Sequence, residues 1–135
     1  MITFVFDRSL APNLALSVRI LLPEADEPPL KDCPEHDVKH ATEYECPAGD
    51  LYSTLAAENS VLVTCLAPKK RGAVNAELKR IGLRVVHLAG GFNNLNPFQQ
   101  AGRLLSYWTA IVTTASRMKP GHAIVVRRNG AVAAL

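Results

Sequence analysis

Four short runs rich in apolar and β-branched residues alternate with segments of helical periodicity, and this alternation constrains the fold more than any other feature. The runs Ile2 to Phe6, Asp37 to Ala41, Val61 to Thr64 and Arg84 to Leu88 read as strands. Leu14, Val18, Leu21 and Leu22 are spaced for a helix over Ala11 to Leu22, with Pro12 acceptable in its first turn. A second helix is expected over Asp50 to Asn59, with Leu51, Leu55 and Ala56 on one face, and a third over Val74 to Ile81, ended by Gly82. The order βαβαβαβ implies parallel strands joined by right-handed crossovers.

Asn96 and Pro97 supply an N-cap and a first-turn proline for the longest helix, Pro97 to about Met118. Its stripe of Leu104, Leu105, Trp108, Ile111, Val112 and Ala115 predicts a core-facing side, and could equally serve a homodimer. Pro120-Gly121 stops it. Asn129-Gly130, between His122 to Arg128 and Ala131 to Leu135, predicts an antiparallel hairpin appended to the main sheet. Prolines and acids across Glu24 to Pro29 predict an exposed loop, Thr42 to Gly49 reads as irregular, and Lys69 to Gly72 as a basic loop.

The 135 residues fit one domain, 1–135. No apolar run approaches the roughly 18 residues of a membrane span, and the start lacks the basic flank and cleavage site of a signal peptide. A cytoplasmic protein without a membrane partner is expected, with its three cysteines as free thiols.

Asp7 follows the first strand at its carboxyl end, the edge where open parallel sheets bind ligands. A carboxylate there can grip a hard cation or cap the next helix. Charge is divided along the chain: residues 1 to 60 carry eleven acidic and four basic side chains, residues 61 to 135 one acidic and eleven basic. Such a split suits carboxylates acting beside a phosphate backbone, and suits an uneven solvated surface as well. Cys33, His36, His40 and Cys46 are all zinc-capable, but their spacing is not that of a common finger or ribbon, so surface histidines and a packed cysteine are expected instead. His87 and Cys65 read as interior residues. Gly90-Gly91 lacks the spacing of a phosphate-binding loop, and no serine-hydrolase elbow is present.

The run Phe6-Asp7-Arg8-Ser9-Leu10-Ala11-Pro12 resembles the opening of PIN-like domains. Glu77 to Leu88, then Phe98-Gln99-Gln100, Tyr107-Trp108, Ile111 and Pro120-Gly121, resemble the second half of the subgroup related to VapC-type toxin ribonucleases. The resemblance implies a three-layer, Rossmann-like α/β domain with a central, mainly parallel sheet flanked by helices and a C-terminal β-hairpin. It implies a Mg²⁺- or Mn²⁺-dependent ribonuclease, the toxin of a bacterial pair covered by a cognate antitoxin, in which the ion polarises the scissile phosphate and activates water. Asp7 matches the first family carboxylate, Asp50 the second, and Glu77 is a further catalytic candidate, with Asp7 and Asp50 as metal ligands. Lys69, Lys70, Arg71, Arg127 and Arg128 are the expected RNA contacts. Two positions depart from the family pattern: Cys65-Leu66 stands where relatives place an aspartate after the third strand, and Ser9 where many have asparagine. The alternative is therefore a catalytically impaired PIN-like domain that binds RNA or a protein.

Overall fold

A computed structural model describes residues 1–21, 33–66 and 72–135. The loop expected over Glu24 to Pro29, and Lys69, Lys70 and Arg71 of the basic loop, lie outside the described residues. Strand β1 (Ile2–Phe6) leads to helix α1 (Pro12–Leu21), β2 (His36–His40), α2 (Leu51–Ala57), β3 (Val61–Thr64), α3 (Gly72–Ile81), β4 (Arg84–Leu88), α4 (Pro97–Ser116), β5 (Ala123–Val126) and β6 (Val132–Ala134). One six-stranded sheet has the order β2-β1-β3-β4-β5-β6. All neighbours are parallel except β5 and β6, the expected hairpin.

Period-two alternation along the inner strands sends side chains to two separate cores. Phe4, Phe6, Val61, Val63, Val86 and Ile124 pack against α1 and α4, whereas Val5, Leu62 and Val85 pack against Leu55 of α2 and Leu78 of α3. The result is a three-layer α/β fold. The apolar stripe of α4 is spent inside the chain: Leu104, Trp108, Ile111, Val112 and Ala115 are all buried, which leaves that stripe to the core rather than to a dimer. No helix of the described residues is long and apolar enough to cross a membrane.

Several boundaries differ from expectation by short steps with local causes. Helix α2 stops at Ala57 because Asn59 takes a left-handed conformation, φ 59°. Asn96 and Gln99 form a reciprocal capping box that starts α4, and α4 ends at Ser116 with Arg117 as its cap. The segment read as irregular contains two short 3-10 turns, Ala41–Glu43 and Ala48–Asp50.

The largest correction concerns the histidines of β2, which point inward rather than to solvent. His36 Nδ1 donates to the Pro34 carbonyl at 2.7 Å, leaving Nε2 to accept the Trp108 indole N–H at 2.8 Å. Phe4 meets both rings edge-on, with centroids 5.5 Å from His36 and 5.3 Å from Trp108. His40 is buried: Nε2 donates to the Leu10 carbonyl at 2.7 Å, and Nδ1 accepts the Thr42 N–H at 3.2 Å. Each ring is thus held as a neutral tautomer, with both nitrogens engaged.

Arg19 of α1 fastens the same edge strand. Its Nε donates to the Val38 carbonyl at 2.8 Å and its Nη2 to Glu43 Oε2 at 2.7 Å, while the His40 N–H also reaches Glu43 Oε2, at 2.6 Å. Burial opposes the Glu43 charge, but the His40 N–H and the Arg19 guanidinium outweigh it and hold the carboxyl below its ordinary value. A group whose folded pKa is lowered contributes stability above its unfolded value and loses that contribution as pH falls through the folded one. Glu43→Gln is therefore expected to cost about 1 kcal/mol at neutral pH. In urea melts repeated down the pH scale, that difference should close as the pH drops below the ordinary glutamate range. A constant difference would show that the charge contributes nothing.

Trp108→Phe should cost about 1–3 kcal/mol in the same assay, because it keeps the ring volume near that of the core yet leaves His36 Nε2 without its donor. A cost no greater than a conservative core swap would show that the indole N–H contributes little.

Candidate functional site

The order β2-β1-β3 marks the place where the chain, having gone one way from β1 to β2, returns to the other side for β3. The connections after β1 and β3 consequently leave for opposite faces, α1 joining one core and α3 the other. In open α/β sheets a crevice forms at the carboxyl ends of such a strand pair. Here the crevice is a cleft of about 230 Å³ lined by Asp7, Arg8 and Ser9 after β1, Leu66 after β3, and Tyr44, Cys46, Leu51 and Tyr52 on the path from β2 into α2.

Asp7 sits at the base of this arrangement, only 5% exposed. Its N–H continues the sheet by donating to the Val63 carbonyl at 2.9 Å. Its Oδ1 accepts the Ser9 N–H at 2.9 Å and the Ser9 hydroxyl at short range. The Ser9 oxygen in turn accepts the Cys65 N–H at 3.1 Å and lies 3.3 Å from Thr64 Oγ1, which accepts the Leu66 N–H at 3.2 Å. Because the Ser9 proton is committed to Asp7, Thr64 is the donor of that pair, and the polar chain runs in one direction from Leu66 to Asp7. Cys65 Sγ also donates to the Ser9 carbonyl, at 3.3 Å. The two strand ends are thereby sewn together. The second carboxylate oxygen, Oδ2, has no hydrogen-bond partner among the described residues.

The other walls have their own causes. Tyr44 packs its ring against the α2 side core and donates its hydroxyl toward Glu58 Oε2 at 3.4 Å. Burial, reinforced by the Glu58 charge, pushes the Tyr44 phenol above its ordinary value, so it stays a proton donor. Leu66 is 44% exposed, an apolar side chain presented to the cleft where the family resemblance places an acid.

The predicted site residues separate in space. Asp7 lines the cleft. Asp50 immediately precedes Leu51 of the cleft wall, but its side chain is exposed and makes no cap bond; its N–H donates to the Pro47 carbonyl at 2.8 Å and its carbonyl accepts the Thr54 hydroxyl at 2.9 Å. Glu77 stands on the exposed face of α3, bound to Arg80 at 2.8 and 2.5 Å, and that hydrogen-bonded guanidinium holds its carboxyl below the ordinary value. Arg127 and Arg128 are exposed in the turn after β5, at the same carboxyl edge as Asp7. That turn is closely packed: Gly130 (φ 86°) leaves no room for a Cβ, which would collide with the Tyr107 ring, and a Cβ at Gly90 would stand 2.8 Å from Arg128 Cβ. His87, opposite Thr64 in register, is buried as expected, its Nδ1 3.4 Å from the Leu66 carbonyl oxygen. Cys65 is half-buried and packs against the α1 and α4 side core, while its N–H ties it to Ser9.

Among the described residues, no three His, Cys, Asp or Glu side chains gather closely enough to hold a metal ion. The cleft contributes a single open carboxylate oxygen, with leucine beside it, a donor set that does not fit a resident magnesium or manganese ion, which is held through several oxygens. Nor does the β2 cluster fit zinc, since both nitrogens of His36 and His40 are engaged and burial pushes the Cys33 thiol up, away from the thiolate that zinc requires. Arg8, Tyr44 and Tyr52 escaped the sequence reading. Arg8 adjoins Asp7 and could have been marked by adjacency, whereas the tyrosines reach the cleft only through the return of β2 into α2.

No protein-family model matches the chain, and neither a curated protein nor a solved structure matches it.

Ser9→Ala removes the hydroxyl that ties Asp7, Thr64 and Cys65 together. It should cost about 1–2 kcal/mol in a denaturant titration, since it also strips the Cys65 N–H of its acceptor. A change of only a few tenths would mean that water replaces the hydroxyl at no net cost.

Proposed function

We propose that the protein is a PIN-like domain that binds RNA along the carboxyl edge of its sheet without cutting it. The observation that carries this reading is the composition of that edge: one carboxylate in the cleft, a leucine in the second acid's place, and exposed Arg8, Arg127 and Arg128 arrayed beside them. Arginines bind phosphate through a planar fork and need no metal to do so. Between β1 and β5 lie three strand spacings, so Arg8 and the Arg127–Arg128 turn are separated by roughly 14 Å along the edge, a span that an extended single strand can follow. The helices that follow β1 and β3 also begin at this edge, where N-terminal N–H groups favour phosphate.

A metal-dependent ribonuclease, with the antitoxin partner that such a toxin has, is the second reading, and what favours it is Asp7 itself, placed where the PIN-like resemblance sets its first ligand. One experiment separates the two. Purified protein is titrated into labelled single-stranded RNA over a range of salt, and the same RNA is incubated with protein and manganese, with and without chelator. Salt-dependent binding without cleavage is expected. Arg127→Glu/Arg128→Glu should weaken binding at least tenfold and flatten the slope of log affinity against log salt by roughly 0.7 for each phosphate that is no longer neutralised. Chelator-sensitive cleavage abolished by Asp7→Asn would establish the ribonuclease instead. Absence of both binding and cleavage would discard the RNA reading.

A further inference from the structure

We infer that the Asp7 cleft receives one unpaired RNA base through an amino group on its Watson–Crick edge, in preference to uracil; this deepens the RNA-binding reading and rests on it. The geometry begins with Asp7. It is more than nine-tenths buried, lines a cleft of about 230 Å³, and has one oxygen, Oδ2, unpartnered among the described residues. That oxygen is an open acceptor in the cleft, so a ligand that brings an N–H there gains a hydrogen bond that the fold leaves unmade.

The other oxygen limits what that ligand can be. Oδ1 already accepts both the N–H and the hydroxyl of Ser9, which uses its two lone pairs. The carboxylate therefore offers one oxygen rather than two. A guanidinium fork from a protein partner is satisfied by two parallel bonds and meets only half of its acceptor here. A single amino N–H meets all of it.

The walls suit a flat ring. Tyr44, Tyr52 and Leu66 present aromatic and apolar surface on which a base can lie, and Arg8 stands exposed at the rim, where the phosphate of the same nucleotide would pass. Cytosine N4, adenine N6 and guanine N2 all place an amino group on the edge that would face Asp7, whereas uracil has none, and cytosine N4 is a known match for a carboxylate. Uracil offers N3–H, but with a carbonyl oxygen on each side, and both would face the carboxylate. That repulsion is the basis of the discrimination.

The test uses short, equal-length, fluorescein-labelled oligo(C) and oligo(U) at neutral pH, titrated with the full chain and read by anisotropy. Their backbone charge is the same, so the ratio of the two affinities reports the cleft alone. Wild type should bind oligo(C) about tenfold more tightly, the size expected for one base-edge hydrogen bond. In Asp7→Asn the amide oxygen can keep the Ser9 bonds and turn the NH2 into the cleft, so the preference should reverse toward oligo(U). Leu66→Trp, which fills the slot, should level the two affinities, and Arg127→Glu/Arg128→Glu should weaken both while keeping their ratio. Far-ultraviolet circular dichroism establishes that each variant is folded. Equal binding of the two oligonucleotides by wild type overturns the base pocket and leaves the RNA-binding edge standing. Binding of neither removes the RNA-binding reading and this inference with it. Asp7-dependent binding of an arginine-rich peptide, with no binding of either oligonucleotide, assigns the cleft to a protein partner and overturns both.

Discussion

Strand β1 is enclosed on all sides, and the rest of the molecule follows from that. It has a neighbouring strand on each edge and a helical layer on each face, and Phe4, Val5 and Phe6 are wholly buried. Inside such a strand every N–H and C=O must find a partner in the sheet, and a polar side chain would have nowhere to go. The first place where the chain can become polar is the residue beyond Phe6. Asp7 takes it, keeping its N–H in the sheet while its carboxylate leaves it. Because the strand order also reverses beside β1, the polar position and the crevice coincide. The location of the site is thus a consequence of how the core closes.

That same logic explains which parts of the fold are legible in the sequence. Val61 to Thr64 and Arg84 to Leu88 are apolar, β-branched and bounded by breakers, so their limits are recovered to the residue. The hairpin at Asn129-Gly130 and the capped start of α4 depend on signals within a few residues, and both are recovered too. The histidines of β2 are not, because their burial depends on donors and acceptors supplied from far away: Trp108 lies 72 positions from His36, and Leu10 lies 30 from His40. A histidine in a polar-looking stretch carries no local mark of the tautomer that will let it enter a core. The site divides in the same way. Asp7 at the end of a buried strand is visible from position alone, whereas the tyrosine walls and the single open oxygen exist only once β2, α2 and β3 are assembled.

The division of charge along the chain also resolves into separate tasks. Acids of the first half are largely structural where they are described: Glu43 locks Arg19 and the His40 N–H, and Glu58 receives the Tyr44 hydroxyl. Glu77, the lone acid of the second half, is neutralised within one helical turn by Arg80. What remains exposed at the carboxyl edge is mixed, with Arg8, Arg127 and Arg128 on one side of the balance and Glu45 and Asp50 on the other.

Leu66 decides what that edge can do. An aspartate at this position would pair with Asp7 to make a site for a hard cation, because two like charges that close need a counterion between them. Leucine adds no second charge and makes one wall of the slot apolar. An apolar wall strengthens any hydrogen bond that Asp7 makes to a ligand, since such a bond scales inversely with the local dielectric. An apolar side chain beside a fixed carboxylate therefore suits, in the reading proposed above, ligands chosen by the donors they carry better than a resident metal ion.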